Sequence, residues 1–523
     1  MIASPTLPTT VPAPAPAPDA AEPVSPPPAR RSLQERLAEI GFKLFDAALM
    51  DSFLPPDEPR QRPGADIRGA VRYLHRELRE FGPIRNQLVG VETMVRAVPQ
   101  QRALLVVWAE LLEITGNKKE AAAKARQALA HFYDDVYTQT LFMRCAGQEN
   151  FHAKAQDRFC AHPFENFEIY SDGAVFPCNC TQVPFPIGNA HKQDAKAIWK
   201  SPRAEAVRAS ILDGSFRFCS PMTCYKRFNL PKRSEHPEEF ARLQKIGTGG
   251  AEPPKHLNLS YDLSCNLSCP SCRNGRIMAG GDQRQKLEHV RDTVVLPLLE
   301  DKKAETVYIT GSGDAFGSPH FRGILKQLCD PKFAHVRITL GTNGQLITPR
   351  LWREFTPLHA RFRDITVSID GAIPETHERL RRGSTWARLQ ESMGILRDAR
   401  RSGAISLLMV NMVVQRDNFM EMRPLLALCK AWAVDGIRFY RVRQWGNQMP
   451  DLFMASDVVN PLNPRHADLL AELAHPDFDD PIVDHYDMYE LIARAQTARR
   501  ERAAQSPDPA PAADAVSTHL LTS

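Results

Sequence analysis

Between about residues 254 and 445 the chain alternates short apolar runs with amphipathic stretches, and few folds accommodate that rhythm. Six runs read as strands, at 256–261, 306–310, 336–340, 365–369, 406–414 and 437–441. Helices fill the intervals. Phe321, Ile324, Leu325 and Leu328 share one face of one helix, and Leu389, Met393 and Leu396 share a face of another, with Gly403 where that second helix would stop. Such alternation builds βα units around a parallel sheet, and six units make a partial barrel or an open sheet. Right-handed crossovers then bring the C-terminal end of every strand to one face, where ligands bind in this architecture.

The residues at those six ends are chemically loaded. After the first strand come Cys265, Cys269 and Cys272, at C-x-x-x-C-x-x-C spacing. Three such thiols can cap three corners of an iron–sulfur cube and leave one iron open to a substrate or cofactor. A zinc knuckle and three buried thiols are the alternatives, although closed zinc sites usually take four protein ligands. The second strand runs into Thr310-Gly311-Ser312-Gly313-Asp314, where glycines let a ligand approach the backbone and Asp314 adds a negative charge. Asn343 sits in the polar turn after the third strand. Ser368 and Asp370 close the fourth on one side of the strand, placed to hydrogen-bond a ribose. The fifth leads through Asn411 and Gln415 to Asn418, and the sixth to Arg441, Arg443 and Gln444. Each alone reads as an ordinary turn; together, at one face of one sheet, they read as a binding site.

Outside this region, residues 1–31 alternate Ala and Pro with almost no large apolar side chain and are expected to be disordered. Residues 32–150 have helical spacing, opening on a capping box from Ser32 to Glu35. The stretch from Trp108 to Leu129 resembles one helix–turn–helix unit of the tetratricopeptide type, and a plain bundle fits it equally well. Residues 155–235 form a cysteine-rich module: a hairpin at 167–176 turning on Asp172-Gly173, a helical segment at 195–212, and Cys160, Cys178, Cys180, Cys219 and Cys224 around them. Spacing there allows zinc or iron–sulfur. The core spans 250–460, followed by a helical extension at 461–495 and a disordered tail at 496–523.

Net charge is +5, from 66 Lys and Arg against 61 Asp and Glu, too small to argue for nucleic acid or an anionic membrane. No apolar run approaches the roughly 18 residues of a membrane span, and the N-terminus lacks the pattern of a secretory signal. A cytoplasmic location is therefore expected. In that compartment eleven cysteines point to metal ligation rather than disulfides. Cys145, Cys329 and Cys429 stand apart in helical patterns and read as packed thiols.

From about residue 255 to 445 the chain resembles the radical S-adenosylmethionine (radical SAM) superfamily, on its C-x-x-x-C-x-x-C loop after the first strand and on the ordered turns that follow. The resemblance implies an α/β fold with a partial (β/α)6 barrel, and a 4Fe–4S cluster held by Cys265, Cys269 and Cys272. Its open iron would chelate S-adenosylmethionine. Gly311, Ser312, Gly313 and Asp314 would bind the methionyl amino group, Asn343 would mark the third strand end, Ser368 and Asp370 the ribose, and Arg382 the methionyl carboxylate. Two departures from the family pattern are Ser271 in place of an aromatic residue and Asp314 in place of Glu. The 160–224 module resembles the SPASM, or twitch, auxiliary domain, here placed before the barrel rather than after it. That likeness implies one auxiliary 4Fe–4S cluster on Cys160, Cys178, Cys219 and Cys224, with Cys180 competing for one place. It also implies an external one-electron reductant of the flavodoxin or ferredoxin type. The expected substrate is a peptide or protein side chain, engaged through the helical N-terminal region. Dehydrogenation of a small molecule such as a sugar is the alternative, and a non-enzymatic metal-binding scaffold is the other class. No acid or base residue stands out from the sequence.

Overall fold

The computed structural model describes residues 102–505, apart from 115, 132–135, 148–154, 184, 223, 225, 227–228, 248–251, 301–303, 444–447, 449 and 462. The expectations for 1–31, for the Ser32 capping box and the helices up to 101, for Gln444 and for the tail beyond 505 lie outside these residues.

A ten-stranded sheet organises the fold. Its strands are β1 (Asn166–Tyr170), β2 (Ala174–Phe176), β3 (Gly188–Asn189), β4 (His256–Ser260), β5 (Thr306–Ile309), β6 (Arg337–Thr342), β7 (Phe362–Ser368), β8 (Ile405–Val414), β9 (Gly436–Arg441) and β10 (Val483–Asp484). They lie in the order β10-β9-β8-β7-β6-β5-β4-β1-β2-β3. The six strands expected from the apolar rhythm are β4 to β9, each parallel to its neighbour. Alternation sorts their side chains. Leu257, Leu259, Val307, Ile309, Leu340, Ile365 and Val367 belong to the main apolar core, together with the outer-helix residues Phe321, Leu325, Leu389 and Met393. The intervening Asn258, Tyr308, Thr339 and Asn411 line a cavity on the other face.

Four strands extend the sheet beyond the expected six, β1 to β3 at one edge and β10 at the other. β1, from the cysteine-rich module, runs parallel to β4 over five pairs, from Asn166 opposite His256 to Tyr170 opposite Ser260. It covers the edge of β4 that would otherwise expose unpaired backbone groups. The module is thus continuous with the barrel sheet, and its hairpin turns on Gly173, at φ +78°, as the Asp-Gly pair demands. At the other edge β10 pairs with β9, so the 461–495 extension contributes a strand as well as helices.

Helix boundaries depart from expectation at two places. The 195–212 segment is two helices rather than one, Ala195–Trp199 and Pro202–Leu212. Pro202 has no N–H to continue the first, and Ser201 caps the second by accepting from the Ala204 N–H at 3.2 Å. The last helix, Tyr489–Gln505, runs ten residues into the stretch expected to be disordered from 496. Elsewhere Gly403 adopts φ +77° just past the helix Trp386–Arg401, as the stop signal required.

Three N-terminal helices, Arg102–Ile114, Lys118–His131 and Val136–Cys145, pack on the module rather than standing apart. Leu104, Val107, Leu111 and Leu141 share one apolar cluster with Phe176, Phe185 and Phe218. Ser220 Oγ also donates to Gln139 Oε1 at 2.6 Å in a buried contact.

Candidate active site

A cavity of about 520 Å³ opens where the strands end, within the size range of small-molecule sites. Cys265, Cys269 and Cys272 line it on one side and Glu168, Tyr170 and Cys178 of the module on another.

The cysteine loop is held from below by Asp262. Its Oδ1 accepts from the Ser264 N–H at 2.9 Å and the Ser264 hydroxyl at 2.7 Å, and its Oδ2 accepts from Ser318. Burial raises the Cys265 thiol and pushes Cys269 up to about 11. Donors gather on the sulfurs. Leu267 N–H meets Cys265 Sγ at 3.4 Å, Asn343 Nδ2 meets the same sulfur at 3.7 Å, and Arg273 directs Nε and Nη2 at Cys272 Sγ, both at 3.3 Å.

The Gly-Ser-Gly turn lies directly on this loop. A Cβ at Gly313 would come within 2.5 Å of the Asp262 carbonyl and 2.6 Å of the Ser264 carbonyl, so only glycine fits there. Thr310, which begins the turn, is held at φ +96°, a strained conformation for a β-branched residue. Gly311, Ser312 and Gly313 line the cavity, as do Asn343, Ser368 and Asp370.

Two sequence expectations need correction. Asp314 does not line the cavity. Its Oδ1 accepts from the Phe316 N–H at 3.0 Å and the Gly317 N–H at 2.7 Å, and its Oδ2 accepts from Thr342 Oγ1 at 3.0 Å and the Asn343 N–H at 2.7 Å. With both oxygens engaged, the carboxylate locks two turns together instead of facing a ligand. Arg382 is exposed, and its neighbour Arg381 is the guanidinium that enters the cavity. Arg381 pairs with Asp370 at 3.0 Å, the latter 2 % exposed. Burial works against the Arg381 charge, but Asp370 and the three cysteines outweigh it and hold the guanidinium protonated.

The module cysteines differ in their surroundings. Burial lifts the Cys160 thiol to about 12 and Cys178 and Cys219 well above the usual thiol range, and the charge of Cys224 pushes all three up further. Cys180 is turned to Tyr170 instead, its N–H donating to that hydroxyl at 3.2 Å and its thiol facing the same oxygen.

Sequence reasoning missed four residues: Arg273, Arg381, Glu168 and Tyr170. A charge beside a ligand cysteine could have flagged Arg273. In Asn166-Phe-Glu-Ile-Tyr170, period-two alternation could have flagged Glu168 and Tyr170, which face the cavity while Phe167 and Ile169 face the core. Burial raises the Glu168 carboxyl to about 7, while hydrogen bonds with Tyr170 and Asn258 draw it back. Tyr170 OH donates to Glu168 Oε2 at 2.9 Å.

Residues 263–428 match the model of the radical SAM superfamily, and residues 160–225 that of SPASM, an iron–sulfur cluster-binding domain. The chain carries a radical SAM domain preceded by a SPASM domain. Radical SAM domains bind a 4Fe–4S cluster and S-adenosylmethionine, and SPASM domains bind auxiliary iron–sulfur clusters. Among solved structures, the chain is similar to SuiB of Streptococcus suis, at 15% identity over 42% of this chain and 48% of that one, with a TM-score of 0.29. It is similar also to anSMEcpe with bound AdoMet and a Cp18Cys peptide, at 16% identity over 36% and 51% of the two chains, TM-score 0.27. A third likeness is to TsrM, a radical S-adenosylmethionine methyltransferase from Kitasatospora setae, at 18% over 34% and 35%, TM-score 0.26. The chain thus spans about half the length of SuiB and anSMEcpe. No curated protein matches it.

The residues present fit both cofactors. Among the described residues no three His, Cys, Asp or Glu side chains converge on the position of a single metal ion. The radical SAM thiols instead meet backbone, amide and guanidinium donors, the surroundings that stabilise cluster sulfurs. Asn411 Oδ1, in a residue lining the cavity, is buried with no partner and is left to accept from a bound ligand.

Proposed function

We propose that this protein is a radical SAM oxidoreductase or maturase that takes hydrogen from a peptide or protein side chain, with Cys160, Cys178, Cys219 and Cys224 holding one auxiliary 4Fe–4S cluster. Supplied with electrons by an external flavodoxin- or ferredoxin-type reductant, the bound cofactors provide a 5′-deoxyadenosyl radical at one end of the cavity and an electron acceptor at the other. Cys265, Cys269 and Cys272 hold the first cluster. Gly311, Ser312 and Gly313 present backbone to the methionyl group, Arg381 faces its carboxylate, and Ser368 and Asn411 face the nucleoside. When the substrate loses a hydrogen atom and then an electron, a proton must leave too; Glu168 accepts it at a carboxylate oxygen while Tyr170 donates to Oε2.

One observation supports this reading above the others: Cys178 and Glu168 line the same cavity as the three radical SAM cysteines. A substrate there would touch both ends at once. A second reading, oxidation of a sugar or similar small molecule, is favoured by the hydroxyl and amide lining from Asn258, Tyr308 and Thr339.

Iron-loaded protein incubated anaerobically with dithionite and S-adenosylmethionine should release 5′-deoxyadenosine; none from fully loaded protein would overturn the proposal. Stimulation of that release by a cellular peptide fraction supports the maturase reading. Stimulation by the small-metabolite fraction alone supports the sugar reading. Protein that takes up zinc but no iron would be a scaffold.

A further inference from the structure

Arg273 follows the third cysteine and is 93 % shielded from water, at 7 % exposure. Each of its three guanidinium nitrogens has a partner. Nε and Nη2 reach Cys272 Sγ at 3.3 Å each, Nη1 donates to the Leu263 carbonyl, and Nη2 also donates to the Ser312 carbonyl. One side chain therefore ties a cluster sulfur to the strand exit that carries the cysteine loop and to the Gly-Ser-Gly turn. Lysine could not reproduce this, since its ammonium lacks the planar fork that reaches a sulfur and two carbonyls together.

We propose that Arg273 is a positioning and tuning residue, which sets the reduction potential of the Cys265/Cys269/Cys272 cluster by donating to Cys272 and holds the Ser312 carbonyl in register with it. The inference rests on the reading of those cysteines as cluster ligands. Reduction adds negative charge to the cluster and its sulfurs. Two N–H groups and a positive charge at one sulfur stabilise the reduced form more than the oxidised one, so they move the potential upward. Burial strengthens the effect, because little water is present to screen it. The Ser312 bond adds a geometric consequence. Movement of the cysteine loop carries the turn with it, so cluster and S-adenosylmethionine stay in one frame.

The test is an anaerobic redox titration of iron-loaded wild type, Arg273→Gln and Arg273→Lys, followed by electron paramagnetic resonance. The radical SAM cluster is distinguished as the signal that changes when S-adenosylmethionine is added. At a fixed potential Arg273→Gln should show about tenfold less reduced cluster relative to oxidised, which for one electron is a shift of about 59 mV to lower potential. Arg273→Lys, which keeps the charge but loses the fork, should fall between the two. Iron content in both variants should match wild type, with a lower thermal midpoint from the Leu263 and Ser312 carbonyls left without their donor. Unchanged potentials in variants with full iron would overturn the proposal. Loss of the cluster from both variants would also overturn it, making Arg273 a structural staple of the loop. A wild-type protein with no signal responsive to S-adenosylmethionine would overturn the cluster reading itself, a separate failure.

Discussion

Arg381 and Asp370 meet at 3.0 Å beside the cysteine loop, with side chains 11 % and 2 % exposed. Asp370 Oδ1 also accepts from the Val413 N–H at 2.9 Å, which fixes the carboxylate and through it the guanidinium. A buried arginine held this firmly is preorganised for a second carboxylate from a ligand.

Arg381→Lys should therefore weaken S-adenosylmethionine binding about tenfold, because the single ammonium cannot serve Asp370 and a ligand carboxylate in the same geometry. Arg382→Ala should leave binding unchanged, its side chain being exposed. Equilibrium dialysis with iron-loaded protein separates the two. Arg381→Ala is the poorer probe: it strands Asp370 as a buried unpaired charge, at a cost of about 3–5 kcal/mol in stability.

Asp314→Asn should act on the fold rather than on the cofactor. The amide replaces an acceptor oxygen with an N–H2 that confronts two of the four donors around it. Leaving buried donors unmet costs about 1–3 kcal/mol each. A lowered thermal midpoint, with S-adenosylmethionine affinity of the folded fraction within about twofold of wild type, is the expected result. Full stability with lost affinity would return Asp314 to the ligand.

The contrast between Asp314 and Arg381 marks what the sequence could convey. Strand identity was legible because apolar runs alternate with amphipathic helices, and β4 to β9 fall within a few residues of the runs that announced them. The order of the turns was legible for the same reason. Which way a side chain points within a turn was not, since turns have no period to read. Asp314 and Arg382 rest on a family resemblance and a charge in a turn, and three-dimensional packing reassigns both. The joining of β1 to β4 was hidden for another reason: about ninety residues separate the two strands, and no local pattern encodes a pairing at that range.

Within the module, Cys178→Ala and Cys219→Ala should each lower iron from about eight per chain to about four, the content of one cluster. Cys180→Ala should keep about eight, because its thiol faces the Tyr170 hydroxyl. Iron analysis after anaerobic reconstitution decides this. Equal loss in all three variants would restore Cys180 to the ligand set.

Glu168 predicts a pH dependence. Burial raises its carboxyl to about 7 from 4.5, so the folded chain keeps a proton that the unfolded chain releases. Between those values the unfolded state binds fewer protons, and stability falls as pH rises. The contribution is fully present below about pH 4.5 and is lost as pH passes about 7, amounting to about 3 kcal/mol over the whole window. Glu168→Gln has no proton to lose. From about pH 5 to about pH 8 the thermal midpoint of iron-loaded wild type should fall by more than that of the variant. The difference between the two curves should develop between about pH 4.5 and about pH 7 and level off above it. Parallel curves would mean that folding does not raise the Glu168 carboxyl, leaving it a weaker base for a proton from substrate.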